Sequence, residues 1–209
     1  MDAYIAIFIP SFITLFVIID PVGLAPIFGG LIEGTTKHHQ RVMAVKGAFV
    51  GLCILLFFAF VGKPFLNALG ISLAALRIAG GIMLFMIALE MVFERRTGRK
   101  QVAAEKIEDV FEDISVFPVG IPLIAGPGAI ASIILLMTSH ENNFEAQLVV
   151  IAALLAVLII TLVVFLLATR VVGLIGETVS AVLTRVLGVI LAALASQFIL
   201  DGIRVGLLR

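Results

Sequence analysis

Two short stretches of this chain combine proline and glycine, one of them with a carboxylate, in a way that uninterrupted apolar helices do not. The first is Asp20-Pro21-Val22-Gly23-Leu24-Ala25-Pro26 and the second is Ala125-Gly126-Pro127-Gly128-Ala129. Pro21 and Pro26 each remove a backbone donor and disfavour helix at the residue before them. The first stretch therefore reads as a helix interrupted and then restarted, with Asp20 at the N-cap and Pro21 in the first turn of the new helix. The second stretch follows Pro118 and Pro122, and its Gly126-Pro127-Gly128 reads as a break and a fresh helix start. A helix start presents open N–H groups and about half a positive charge, which suits a carboxylate. A carboxylate in one half and a bare positive helix end in the other match the two poles of a zwitterion. Its ammonium would face Asp20 and its carboxylate the Gly128 and Ala129 amides. The expected substrate contacts are Asp20, Pro21, Gly23, Pro26, Gly126, Pro127, Gly128 and Ala129. The small residues around them leave room for a small side chain only.

The elements that must hold these residues are membrane helices. The chain of 209 residues is 62% hydrophobic and 13% charged, with a mean hydropathy of +1.25. Soluble domains are about half apolar and about a quarter charged, so a water-exposed surface cannot be covered here. Six apolar segments, 3–31, 42–66, 69–93, 114–137, 146–168 and 179–203, are each long enough to cross about 30 Å of hydrocarbon. The first is long enough to be tilted, kinked or interrupted. Met1-Asp2 carries no basic lead and no small-x-small cleavage site follows, so this segment is read as a retained span rather than a signal peptide. An aspartate at the centre of such a helix costs about +2.5 to +3.5 kcal/mol on insertion, and intramembrane acids usually face a cavity and mark a pathway. A pure capping role for Asp20 is the plainer alternative, and the two are compatible.

The halves repeat. Pro21 and Pro127 are 106 residues apart, and Arg77-Ile78-Ala79-Gly80 resembles Arg185-Val186-Leu187-Gly188 at a spacing of 108. Three spans per half invert the second half, which is the plan of many secondary transporters, with the substrate at broken helices in the midplane. The expected organisation is a single transmembrane domain: a first repeat over 1–93, a cytoplasmic connection over 94–113 and an inverted second repeat over 114–209. Lys37, Arg41 and Lys46 in the first connection, five basic residues in 94–113 and Arg170 at the start of the fifth place these loops inside. Both termini then lie outside. A short interfacial helix is expected over 107–114.

Other polar residues are weaker signals. Ser11 and Thr14 share the helix face leading to Asp20 and either line a path or bond their own i−4 carbonyls. Arg77 and Arg185, on opposite membrane sides, are gates, a partner for Asp20, or side chains snorkelling to the interface. Gln197 and Thr161 are placed to bond between helices. Cys53 reads as a small buried hydrophobe. The three histidines, 38, 39 and 140, fall in loops without metal-ligand spacing. No cofactor or metal is implied, and the zero net charge gives no reason to invoke nucleic acid.

These residues also resemble a known family. The stretch from Asp20 to Phe28, the stretches 112–118 and 122–130, and the segments 185–188 and 201–203 are similar, in order, to the MarC family of bacterial and archaeal integral membrane proteins. The resemblance covers nearly the whole chain. It implies six helices in the cytoplasmic membrane, kinship with small-solute exporters of the LysE type, and neutral amino-acid transport in at least part of the family.

The leading expectation is therefore an all-α membrane protein of six transmembrane helices in two inverted three-helix repeats, the first and fourth helices broken. It would carry small neutral amino acids such as glycine or alanine, coupled to a proton or sodium gradient, with a homo-oligomer compatible. The rivals are an exporter of another small solute and a non-transporting scaffold or assembly protein. An intramembrane hydrolase needs a second deep acid, a His-Glu-x-x-His or a serine with a histidine base, none of which is evident. The chain has no phosphate loop for ATP hydrolysis.

Overall fold

The computed structural model describes residues 2–93 and 114–207, the side chains of 2, 169–178 and 180 excepted. The connection 94–113 and most of the interfacial helix expected at its end lie outside these residues. The described elements, in chain order, are α1 (Asp2–Ile19), α2 (Pro21–Leu31), α3 (Lys37–Ala68), α4 (Leu73–Val92), α5 (Ser115–Ile124), α6 (Pro127–Ser139), α7 (Phe144–Leu166) and α8 (Ala168–Leu207). Helices are what an apolar chain can form in lipid, because each satisfies its backbone groups within one segment. Where a helix starts next to water, a side chain caps it: Thr36 accepts from the His39 amide, Ser72 from that of Ala75 and Asn143 from that of Ala146.

Segment α5 is the exception. Phe117 and Ile121, each preceding a proline, have extended backbones at φ −133°, ψ 125° and φ −130°, ψ 127°. Its chain winds loosely, with the Val119 amide donating to the Ile114 carbonyl and that of Ala125 to Gly120. α5 and α6 meet at a bend of 58°.

A bent pair of this kind is either one broken crossing or a re-entrant loop, and α3 decides between them. A Cβ on Gly47 would run into Val119, one on Gly51 into Ile124 and one on Gly62 into Ile134. One straight helix thus tracks α5 and then α6 with residue numbers rising together, over about 22 Å for fifteen residues. The chain keeps its direction through the bend, so α5–α6 is one crossing. With the spans Ala3–Leu31, Lys37–Ala68, Leu73–Val92, Phe144–Leu166 and Ala181–Leu207, the bundle has six.

The first span runs parallel to α7: Tyr4 donates to the Glu145 carboxylate at one end, and Phe28 stacks on Phe165 at the other, with ring centroids 4.3 Å apart. Helices α4 and α8 run antiparallel, since Gly81 faces Ala195 and Ile199, while Gly202 faces Ala74 and Ile78. Lys63, near the end of α3, pairs with Glu141 in the α6–α7 turn. These contacts put the start of α1, the end of α3, the turn before α7 and the end of α8 on one face of the bundle, so both ends of the described chain share a side. Pairing span one with span five, two with four, and three with six is consistent with two inverted halves. Exposed aromatic side chains such as Phe49, Phe57 and Phe60 form the surface that lipid covers, while Leu15, Ile19, Phe28, Ile133, Leu154 and Phe165 are fully buried at the centre.

Four expectations are corrected. The connection expected to begin at Arg170 is helix: α7 ends at Leu166, only Leu167 intervenes, and α8 continues unbroken for 40 residues. At about 60 Å, α8 is twice the hydrocarbon thickness, so its first part extends beyond the span. Cys53 is exposed on the lipid-facing side of α3, where a small apolar group is also at home. Gln197 and Thr161 bond within their own helices, to Asp201 and the Val157 carbonyl. His38 and His39 lie in the first turn of α3 and not in a loop, whereas His140 does fall in the turn that follows α6.

Candidate functional site

The break in the first span falls at Asp20. Its backbone is left-handed (φ 55°, ψ 64°), and its Oδ1 accepts from the Gly23 amide at 3.0 Å. Asp and Asn are the non-glycine residues that visit this region routinely, which is why an aspartate can both turn the chain and cap α2. Pro21 fills the first helical position, where its missing N–H leaves nothing unpaired. Gly23 is required by the cap, since a Cβ there would overlap the Asp20 carboxylate. Asp20 is 2% exposed. Pro26 lies inside α2 and does not break it.

The break in the fourth span falls at Ala125 and Gly126. Gly126 is extended (φ −77°, ψ 166°) and gives α6 no side-chain cap, so the first amides of α6, including those of Gly128 and Ala129, have no acceptor within the helix. Gly128 and Ala129 are buried, Gly126 is half-buried and Pro127 is exposed.

The two breaks are brought together. A Cβ on Gly128 would stand 3.6 Å from Ile18 Cγ2, two residues before Asp20, as well as 2.8 Å from Leu84 Cδ2 and 3.3 Å from Ile87 Cδ1. Apolar side chains of α1 and α4 thus pack against Gly128, a contact that sequence reading did not find. Because α6 runs antiparallel to α1, one turn back from Ile18 brings Thr14 to the level of Ser132, one turn on from Gly128. Ser11, Thr14, Asp20 and Ser132 are all buried, and Ser132 Oγ is the buried side-chain polar atom that finds no hydrogen-bond partner among the described residues. Ser132 was not singled out by the sequence; its position one turn after Gly128 is the signal that could have found it.

Arg77 is half-buried beside Gly202 near the start of α4, and Arg185 is exposed on α8, one turn before Gly188 meets Met91 and Val92 near the end of α4. They stand at opposite ends of the α4–α8 pair. Among the described residues, no three His, Cys, Asp or Glu side chains converge as a metal site would require.

Comparison with known proteins agrees with this architecture. The family model of the MarC family integral membrane protein matches residues 5–207. A UPF0056 membrane protein of Methanocaldococcus jannaschii is 39% identical over 203 residues, covering 96% of this chain and 98% of that protein. The UPF0056 inner membrane protein YhgN of Escherichia coli is 34% identical over 196 residues, covering 94% and 95%. The UPF0056 membrane protein YvbG of Bacillus subtilis is 34% identical over 197 residues, covering 92% of each. No solved structure gives a significant match. With the family model spanning almost the whole chain, and relatives this similar over nearly their full length, this multi-pass protein belongs to the MarC family of integral membrane proteins.

Proposed function

We propose that this chain is a secondary transporter of small neutral amino acids, such as glycine or alanine, in the cytoplasmic membrane, driven by a proton or sodium gradient. The observation that carries the reading is the meeting of two interrupted spans in the bundle interior, one holding the buried Asp20 carboxylate and the other an uncapped helix start. In lipid an interrupted helix persists where protein or a water-filled cavity satisfies the freed groups, and paired interruptions mark midplane substrate sites. Asp20 suits an ammonium and the α6 start a carboxylate. The closed packing of Ile18, Leu84 and Ile87 over Gly128 admits a small side chain at most, and these side chains must move for substrate to enter or leave.

Both termini on the external face, as the loop charges require, and the inner-membrane setting named for the Escherichia coli relative complete the proposal. The test is uptake of labelled glycine, alanine, serine and leucine into proteoliposomes under imposed proton or sodium gradients. Gradient-driven uptake favouring the small residues is expected. Uptake of none of them under either gradient, by folded protein, would leave the scaffold reading in its place.

A further inference from the structure

Near the middle of the spans, the exposed side chains among the described residues are apolar or, at Cys53, weakly polar. Phe57 on α3, Phe85 and Met86 on α4 and Ile159 on α7 are examples. Gln197 on α8 is the exception. Gly81, about halfway along the 20-residue α4, faces Ala195 and Ile199, so Gln197 lies at mid-depth. It stands two residues on from Ala195, about 200° round the helix, and therefore on the side of α8 turned away from α4. Its Nε2 donates to Asp201 Oδ1 at 2.9 Å along the same helix. Because a carboxylate accepts and does not donate, this bond fixes which way the amide lies. The second N–H and the carbonyl oxygen of the amide have no partner among the described residues. Hydrocarbon offers them none, and in membranes glutamine amides bond to a neighbouring helix.

The residues around Gln197 indicate which helix that is. Leu183, Val186, Ile190, Ala193, Gln197 and Leu200 are all exposed and follow one another in steps of three and four residues alternately. Two parallel helices interlock along a seam of this spacing, and one polar residue within it fixes register and the number of strands. Ala193, one turn before Gln197, is small enough for two backbones to approach. Arg204, the next position of the seam, falls in the last turn of α8, where a long side chain reaches the headgroups. An amide is also its own complement. About a two-fold axis along the membrane normal a residue meets its own copy, and two Gln197 amides then exchange N–H···O bonds, using the donor and the acceptor that Asp201 leaves over.

We propose that two copies of this chain associate through the outer face of α8, in parallel about a two-fold axis, with paired Gln197 amides at the centre of the interface. This does not depend on the transport reading.

The experiment uses the full chain with Cys53→Ala as background, so that one introduced thiol per chain is read. In native membranes, copper phenanthroline and oxygen should oxidise Ala193→Cys to a disulfide-linked dimer, and should leave Ile159→Cys, on the lipid side of α7, monomeric. In liposomes, energy transfer between separately labelled copies should give a dissociation constant that rises about tenfold or more in Gln197→Leu. That variant should melt like the wild-type monomer in detergent, since leucine is at home in lipid. Three results each overturn the proposal: no energy transfer at any protein-to-lipid ratio, cross-linking of Ile159→Cys as fast as that of Ala193→Cys, or an unchanged dissociation constant in folded Gln197→Leu. Labelling of Ala193→Cys by a membrane-impermeant maleimide overturns it too, because this face would then line a water-filled path. If Gln197→Leu fails to fold, Gln197→Met, which keeps the length of the side chain, decides by the same criteria.

Discussion

Replacing Asp20 by asparagine separates the structural work of this residue from the chemical work proposed for it. Structurally, the side chain must sit at a left-handed backbone position and accept from the Gly23 amide at 3.0 Å. Asparagine does both: it is tolerated in the left-handed region, and its side-chain oxygen caps a helix about as well as that of aspartate. Removing the charge also lowers the insertion cost of an acid at depth, so the variant should reach the membrane and melt near wild type. Asp20→Ala, by contrast, loses a cap worth about 1 kcal/mol and places a Cβ without a local hydrogen bond in a backbone region that costs about 1–2 kcal/mol. What asparagine cannot do is offer a negative charge to an ammonium. A charge-assisted hydrogen bond is worth about 1.5–3 kcal/mol, so affinity for alanine should fall roughly ten- to a hundredfold. Proteoliposome uptake gives KM and rate, and thermal unfolding in detergent gives the structural control. Folded Asp20→Asn that transports with the wild-type rate and KM would refute the ammonium contact and leave Asp20 as a cap.

Gly23→Ala should force the Asp20 carboxylate out of the cap, because the new Cβ would stand 2.8 Å from its Cγ. A loss of about 0.5–2 kcal/mol in unfolding free energy is expected, with impaired uptake. Gly128→Ala should overpack the contact between α6 and α4, its Cβ lying 2.8 Å from Leu84 Cδ2, at about 1–3 kcal/mol; an unchanged melting temperature would show that α4 yields at this contact. Reporters fused after Asn142 and after Arg209 should read the same compartment, the external one by loop charge, and a reporter at Gly34 the opposite one. Opposite readings at Asn142 and Arg209 would break the six-span topology.

Much of this was legible in the sequence because lipid makes the rules local. A backbone group in hydrocarbon must be paired within its own segment, so apolar runs of adequate length had to be helices. The prolines and glycines at 21, 126 and 127 had to mark interruptions. Asp20 as a cap with Pro21 in the first turn also follows from neighbours along the chain, and the structure has both. Where a local signal was weak, the reading failed. Nothing in residues 167–170 shows that Leu167 alone separates α7 from α8. Cys53 was assigned to the interior from its residue type, whereas its exposure depends on which side of α3 faces neighbours, here the glycine side at 47, 51 and 62.

The meeting of the two breaks belongs to the tertiary structure alone. Periodicity shows that a helix is apolar nearly all round and leaves open which side meets which partner, because lipid and protein are equally apolar and only close packing distinguishes them. That Ile18, Leu84 and Ile87 converge on Gly128, and that the buried Ser132 hydroxyl finds no partner among the described residues, are consequences of helices packed together. The sequence alone determined the membrane helices, the interruptions and the acid beside one of them, since each follows from the covalent neighbours of a residue. The meeting of the two breaks was decided by packing between segments more than a hundred residues apart, Ile18 against Gly128.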